Sequence, residues 1–309
     1  MKSSVRWPGF TFMVLVILAV AELMACLTTR YVAQKRGIYF YLPHITESYE
    51  SYQKRLNPLL GWLSPDSATK RNDFYDSSGS RRTPAFPDPR STPACVSLYG
   101  DSFTEAVGVD HEHAWGNILA KLLNCRVANY GVAGYGTDQA FLRYQANRED
   151  RAQVVILGFF AENIQRNVNQ LRNFLGPSPQ FQTKPRFVLD PQGRLTLEPI
   201  PLFSKEEYAL APQEPKRFFL HDFFVPGGPS GSHFSSFPYL WRFLGASRPF
   251  FKKVVYGIHP YMEMYRSGHP SRALELTVAI MEAFSNTARQ RGQEPLVLVI
   301  PNIAMYSDT

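Results

Sequence analysis

Val96-Ser97-Leu98-Tyr99-Gly100-Asp101-Ser102-Phe103-Thr104 is the stretch on which the reading of this chain turns. An apolar run bounded by glycine reads as a buried strand that ends in a tight turn. From Phe103 to Val107 no strong breaker follows, and the next glycine is Gly108. A serine placed where such a strand stops stands at the carboxyl edge of a sheet, where open α/β folds put their ligands. Its hydroxyl can face solvent while the backbone N–H groups beside it stay free for an anion. Taken alone, Gly-Asp-Ser fits an ordinary polar turn equally well.

Two further segments repeat the pattern. The short strand-like stretch Cys125 to Ala128 leads into Asn129-Tyr130-Gly131-Val132-Ala133-Gly134-Tyr135-Gly136-Thr137-Asp138-Gln139. Glycines at 131, 134 and 136 allow backbone to approach a ligand closely, because no Cβ intervenes. Val154-Val155-Ile156-Leu157-Gly158-Phe159-Phe160 is a strongly strand-like run that ends at Ala161-Glu162-Asn163. Each segment alone also has a structural reading, glycines for turns and asparagine for a helix cap. Together they place a serine, a glycine N–H and an asparagine amide after three successive strands. Acyl transfer needs that set, a nucleophile and donors for the developing oxyanion.

These blocks resemble the SGNH (GDSL-type) hydrolases, in particular their membrane-associated bacterial members. The likeness runs through Gly100-Asp101-Ser102-Phe103-Thr104, Gly108-Val109-Asp110, Trp115 and the segment Asn129 to Gln139. It implies a three-layer α/β/α, flavodoxin-like fold with a parallel sheet. It also implies Ser102 as nucleophile, with Ser102 N–H, Gly134 and Asn163 forming the oxyanion hole and Asp101 in support. The third block departs from the family's Gly-Asn-Asp, since Glu162 precedes Asn163 and Ile164 follows it. No metal or organic cofactor is implied. The implied reaction is serine ester hydrolysis on an ester or O-acyl group, including one on a carbohydrate. Acyl transfer to an extracellular polysaccharide and a non-catalytic surface role are the alternatives.

The family takes its base from an Asp-x-x-His motif near the carboxyl end, and no such motif occurs in that part of this chain. The helix-like segment Ser271 to Arg291 and the strand-like Pro295 to Ile300 come shortly before Asp308-Thr309. Two readings follow: the base lies beyond Thr309, or the fold lacks one. The first is simpler, because a sheet stopping at this strand has an exposed edge and an incomplete core. No other histidine offers itself as a substitute. His111 and His113, in Asp110-His111-Glu112-His113, read as a solvated loop before a helix at 114–123, without the third ligand a metal would need. His221 and His259 fall in a Pro-rich, aromatic insertion and receive no role.

The amino terminus carries a separate signal. Phe10 to Leu27 is an apolar run broken only by Thr11 and Glu22, close to the minimum that spans a bilayer. A cleaved signal peptide is the competing reading, and Leu23-Met24-Ala25-Cys26 loosely resembles a lipoprotein box. Flanking charge is nearly balanced, so the positive-inside rule is close to silent. The resemblance implies an anchor with the catalytic domain on the extracytoplasmic side. The expected organisation is an anchor at 1–30, a juxtamembrane and extended segment at 31–93, and a hydrolase domain at 94–309. Within that domain, 168–270 is an insertion suited to a lid or substrate wall.

A chain of 309 residues with 44% apolar content can bury a full α/β core. Its net charge of +7 comes from scattered basic residues with no nucleic-acid-binding signature, so nucleic acid is not an expected partner. Of the three cysteines, Cys26 lies in the apolar run. Cys95 and Cys125 begin neighbouring predicted strands, and the expectation is two separate buried thiols rather than a bridge. Helices are expected at 114–123 and 138–147, the second capped by Thr137.

Overall fold

A computed structural model describes residues 8–63 and 74–302 of the chain. The expected extended stretch at 64–93 therefore falls partly outside the described residues, as does the segment 303–309. The elements run α1 Pro8–Lys35, β1 Phe40–Tyr41, α2 Tyr49–Arg55, β2 Ala94–Tyr99, α3 Ser102–Glu105, α4 Trp115–Leu123 and β3 Arg126–Asn129. They continue with α5 Thr137–Ala146, β4 Val154–Phe160, α6 Asn163–Arg166, β5 Arg186–Leu189, β6 Leu195–Glu198, α7 Lys205–Leu210 and α8 Pro215–Phe218. The last are β7 His233–Phe234, α9 Tyr239–Tyr256, α10 Pro260–Glu263, α11 Ala273–Gln290 and β8 Glu294–Ile300.

The main sheet has the order β3-β2-β4-β8, and every pairing in it is parallel. Numbered along the chain, that is second, first, third, fourth, the doubly wound order that reverses direction beside its first strand. The pleat sends alternate residues to opposite faces. Val96, Leu98 and Val127 pack with Ala120 of α4 on one face. Tyr99, Ala128, Val155 and Leu157 pack with Phe141, Ile280 and Phe284 of α5 and α11 on the other. Helix, sheet, helix: the fold is a three-layer α/β/α sandwich with an apolar amino-terminal helix attached.

The insertion builds its own layer. Phe174, Phe181, Phe203, Tyr208 and Phe219 cluster with Tyr41 and Tyr52 from the segment that follows α1. Its hairpin is β5–β6, and β7 pairs with β1. A fully buried ion pair, Lys184 with Asp138, ties it to the first turn of α5. Burial pushes the Asp138 carboxyl up and the Lys184 ammonium down, against their mutual attraction.

Two local expectations are corrected. Cys95 and Cys125 form a disulfide, with Cα atoms 6.1 Å apart. Parallel pairing of β2 with β3 sets Ala94 opposite Arg126, which brings the residues next to each to one edge. Thr137 does not cap α5; it is the first helical residue, and the cap is Gly136, whose N–H donates to Gln139 Oε1 at 3.2 Å.

Candidate active site

Ser102 opens α3 immediately beyond the carboxyl end of β2, one of the two inner strands. Asp101 caps that helix, its carboxylate accepting from Phe103 N at 2.9 Å. The turn tolerates little extra volume. A Cβ on Gly100 would lie 2.0 Å from Thr104 Oγ1, and one on Gly131 would lie 2.4 Å from Glu105 N. The short helix ends at Ala106 in the left-handed region, φ 59°. Fully buried Arg81 holds that end by donating to Glu105 O at 2.6 Å and Ala106 O at 2.5 Å. Such strain, held from several sides, is common where side chains must be aimed.

The second segment is bound to the first. Val132 N donates to Gly100 O at 3.0 Å, and Ala133 N to the buried Glu105 Oε2 at 2.6 Å. Tyr75 OH donates to the other Glu105 oxygen. Tyr135 N and Gly136 N also have acceptors, Val132 O at 3.2 Å and Gln139 Oε1 at 3.2 Å. Gly134 N has none among the described residues, and its φ of +82° is the left-handed geometry that favours glycine. Trp62 closes over this loop, its indole donating to Ala133 O at 3.3 Å.

Asn163 begins α6 beyond β4, the other inner strand. It is 1% exposed; its amide lies beside the Asp101 carboxyl, whose pKa it lowers, but neither amide atom makes a hydrogen bond of normal geometry among the described residues. Buried amides are nearly always satisfied, so an open one implies an absent partner.

One residue joins all three segments. Arg166 of α6 donates from Nη1 to Asp101 Oδ2 at 3.0 Å and to Tyr135 O at 3.0 Å. Burial raises the Asp101 carboxyl pKa despite this partner. Arg172 stands close to Arg166, Glu162 and Asp101 and forms no ion pair among the described residues. Burial and the repulsion of Arg166 press its guanidinium down to about 9. A guanidinium keeps its proton near neutral pH regardless, and the carboxyl groups of Glu162 and Asp101 stand near this pair of arginines. On the open side Phe103, 48% exposed, stacks on Phe160 with ring centroids 3.8 Å apart.

The sequence-predicted residues Ser102, Asp101, Gly134 and Asn163 therefore sit at the carboxyl ends of three adjacent strands. No family model and no curated protein matches the chain. Two similar solved structures are of one esterase. The first, the SGNH-hydrolase family esterase AlinE4, shares 22% identity over 24% of this chain and 43% of its own, TM-score 0.22. A mutant of AlinE4 shares 15% identity over 64% of this chain and 96% of its own, also at TM-score 0.22. In the first, the match spans less than half of the neighbour's length. Likeness this slight carries no argument, and the account above rests on the sheet and the contacts of this chain.

All seven histidines are described, and none bonds to Ser102, whose hydroxyl has no partner among the described residues. His113 pairs with Asp110 at 2.6 Å on an exposed loop, the solvated loop expected there. His259 Nε2 lies 2.7 Å from Lys253 Nζ, and His269 Nδ1 lies 2.7 Å from Ser271 Oγ at the start of α11. The sequence pattern assigned no role to Arg166, Glu105, Arg172 or Trp62. Their partners lie far away in sequence; Arg166 and Asp101 are separated by 65 positions.

Proposed function

We propose that this protein is a membrane-anchored serine ester hydrolase of the SGNH type, working through an acyl-enzyme. Ser102 Oγ attacks an ester carbonyl, and the resulting oxyanion takes hydrogen bonds from Ser102 N, Gly134 N and Asn163 Nδ2. The observation that carries this reading is the pattern of unmet donors. Gly134 N and the Asn163 amide lack a hydrogen bond of normal geometry among the described residues, while Val132 N, Ala133 N, Tyr135 N and Gly136 N beside them are bonded. Removing one such donor typically costs about 3 kcal/mol of barrier.

The base in this reading is a histidine from polypeptide beyond residue 309, oriented by an aspartate three positions before it. The exposed edge of β8 supports an added strand: Leu296, Leu298 and Val299 are 49%, 40% and 56% exposed. The histidine takes the Ser102 proton and returns it to the leaving alcohol. An extracytoplasmic domain is supported by the Cys95–Cys125 disulfide, a bond that persists in oxidising compartments.

The test is p-nitrophenyl acetate hydrolysis by the complete reading frame. Ser102→Ala should reduce turnover to background, about a thousandfold or more. Undiminished turnover removes Ser102 from the mechanism.

A further inference from the structure

Glu22 lies within the long apolar helix α1, yet its carboxylate is not alone. Oε1 accepts from Tyr239 N at 2.5 Å and Oε2 accepts from Leu240 N at 2.8 Å. These are two of the orphan N–H groups at the start of α9. From there α1 and α9 run side by side in the same direction. Val32 and Ala33 of α1 share a cluster with Phe243, Ala246 and Phe250 of α9.

The opposite face of α9 is largely uncovered by the described residues. Trp241, Leu244, Arg248, Phe251 and Val255 recur at spacings of three and four, a single stripe on a helix. Trp241 is 74% exposed, Leu244 57% and Phe251 47%. A helix apolar on both sides is at home in a core or in lipid. Leu23, Met24 and Leu27 of α1 are 58%, 57% and 58% exposed, so the same apolar surface continues across both helices.

Taking α1 as a bilayer span fixes the level of α9. A hydrocarbon core about 30 Å thick needs about 20 helical residues. Arg6 and Arg30 flank the apolar run, which sets the outer boundary near residue 28. Glu22 is then about 9 Å inside it, at about 1.5 Å per residue. A carboxylate at that depth must be partnered, so the N–H groups that partner it share its depth. Counting up from Tyr239 at the level of Glu22, Leu244 falls level with about residue 27 and Arg248 with about residue 31.

We propose that the first half of α9, from Tyr239 to Arg248, is a second membrane-embedded element. It enters the lipid surface beside the anchor, with Glu22 as the clamp between them. By the same count Trp241 falls level with about residue 24, about 6 Å inside the boundary and deeper than Leu244. Leu244 meets the acyl-chain boundary and Arg248 the headgroups, while Val255 emerges into water. The hydrolase domain is thereby fixed in height and rotation above the bilayer instead of swinging on a single helix.

The test places nitroxide spin labels in the full chain, in a Cys26→Ser background, reconstituted in vesicles of 3:1 phosphatidylcholine and phosphatidylglycerol. Labels go to Leu244→Cys, Arg248→Cys and Val255→Cys, with Leu18→Cys on α1 as the lipid reference and Leu122→Cys on α4 as the aqueous one. All five sites are exposed, so folding is not at stake. The ratio of oxygen to nickel-chelate collision should be several-fold higher at 244 than at 122, and should decline in the order 244, 248, 255. Aqueous accessibility at 244 equal to that at 122 overturns the proposal. So does spin–spin broadening at 244 that disappears on dilution with unlabelled protein, because a second copy then covers the stripe.

Discussion

Thr104 shows how tightly single atoms are specified around the nucleophile turn. Its Oγ1 is buried without a hydrogen-bond partner among the described residues. It fills the space that a Cβ on Gly158 would enter, 2.1 Å away, and also the space beside Gly100. Gly158→Ala should therefore destabilise the protein by about 1–3 kcal/mol, the usual range for overpacking. Adding Thr104→Ala removes the obstructing hydroxyl and leaves Thr104 Cβ 3.4 Å away, an ordinary contact. The double variant should recover most of the lost unfolding midpoint in detergent. Gly100→Ala should not be rescued, since Thr104 Cβ would remain at 2.7 Å. Equal rescue of both glycines would show that the backbone yields and that the turn is not held as described.

Between elements, the buried Lys184–Asp138 pair carries the attachment of the insertion to α5. Lys184 Nζ also donates to Asn169 O at 2.9 Å and Pro185 O at 2.9 Å, so it gathers three parts of the chain. Lys184→Met leaves a buried carboxylate alone and should cost about 3–5 kcal/mol. Asp138→Asn with Lys184→Met should cost clearly less, because no net charge is then stranded. Urea unfolding in detergent measures both, and additive losses would refute the coupling. At this scale the sequence was legible where the pattern is local. Val154 to Phe160 forms a strand over the residues its β-branched and aromatic run marks, and the helices at 115–123 and 273–290 follow their apolar spacing. Illegible were the features set by contacts across strands and between distant segments. The Cys95–Cys125 bond needs the register of two parallel strands, and the partner of Glu22 lies 217 positions away. The blocks holding Ser102, Gly134 and Asn163 could be read; the arginine that joins them could not.

Across the whole molecule, the side of the sheet at β8 contrasts with the side at β3. Beyond β3, Arg81 N donates to Asn129 O at 2.8 Å and Thr83 Oγ1 to Val127 O at 3.0 Å, so that edge is covered. At β8 no strand follows among the described residues, and Val297 and Val299 are 37% and 56% exposed. An apolar strand with unpaired N–H and C=O groups is a template for another chain. The 309-residue chain, purified in detergent, should therefore self-associate through β8 in a concentration-dependent way. Val299 stands opposite Phe159 in the register of β4 and β8 and is 56% exposed, so Val299→Lys places a charge at the end of this strand and should shift the population towards monomer with little change in the unfolding midpoint. Sedimentation of the two proteins at matched detergent concentration reads this directly. Unchanged association in the Val299→Lys protein would move the contact away from β8, leaving the apolar surface of α1 and α9 as the place to look for it.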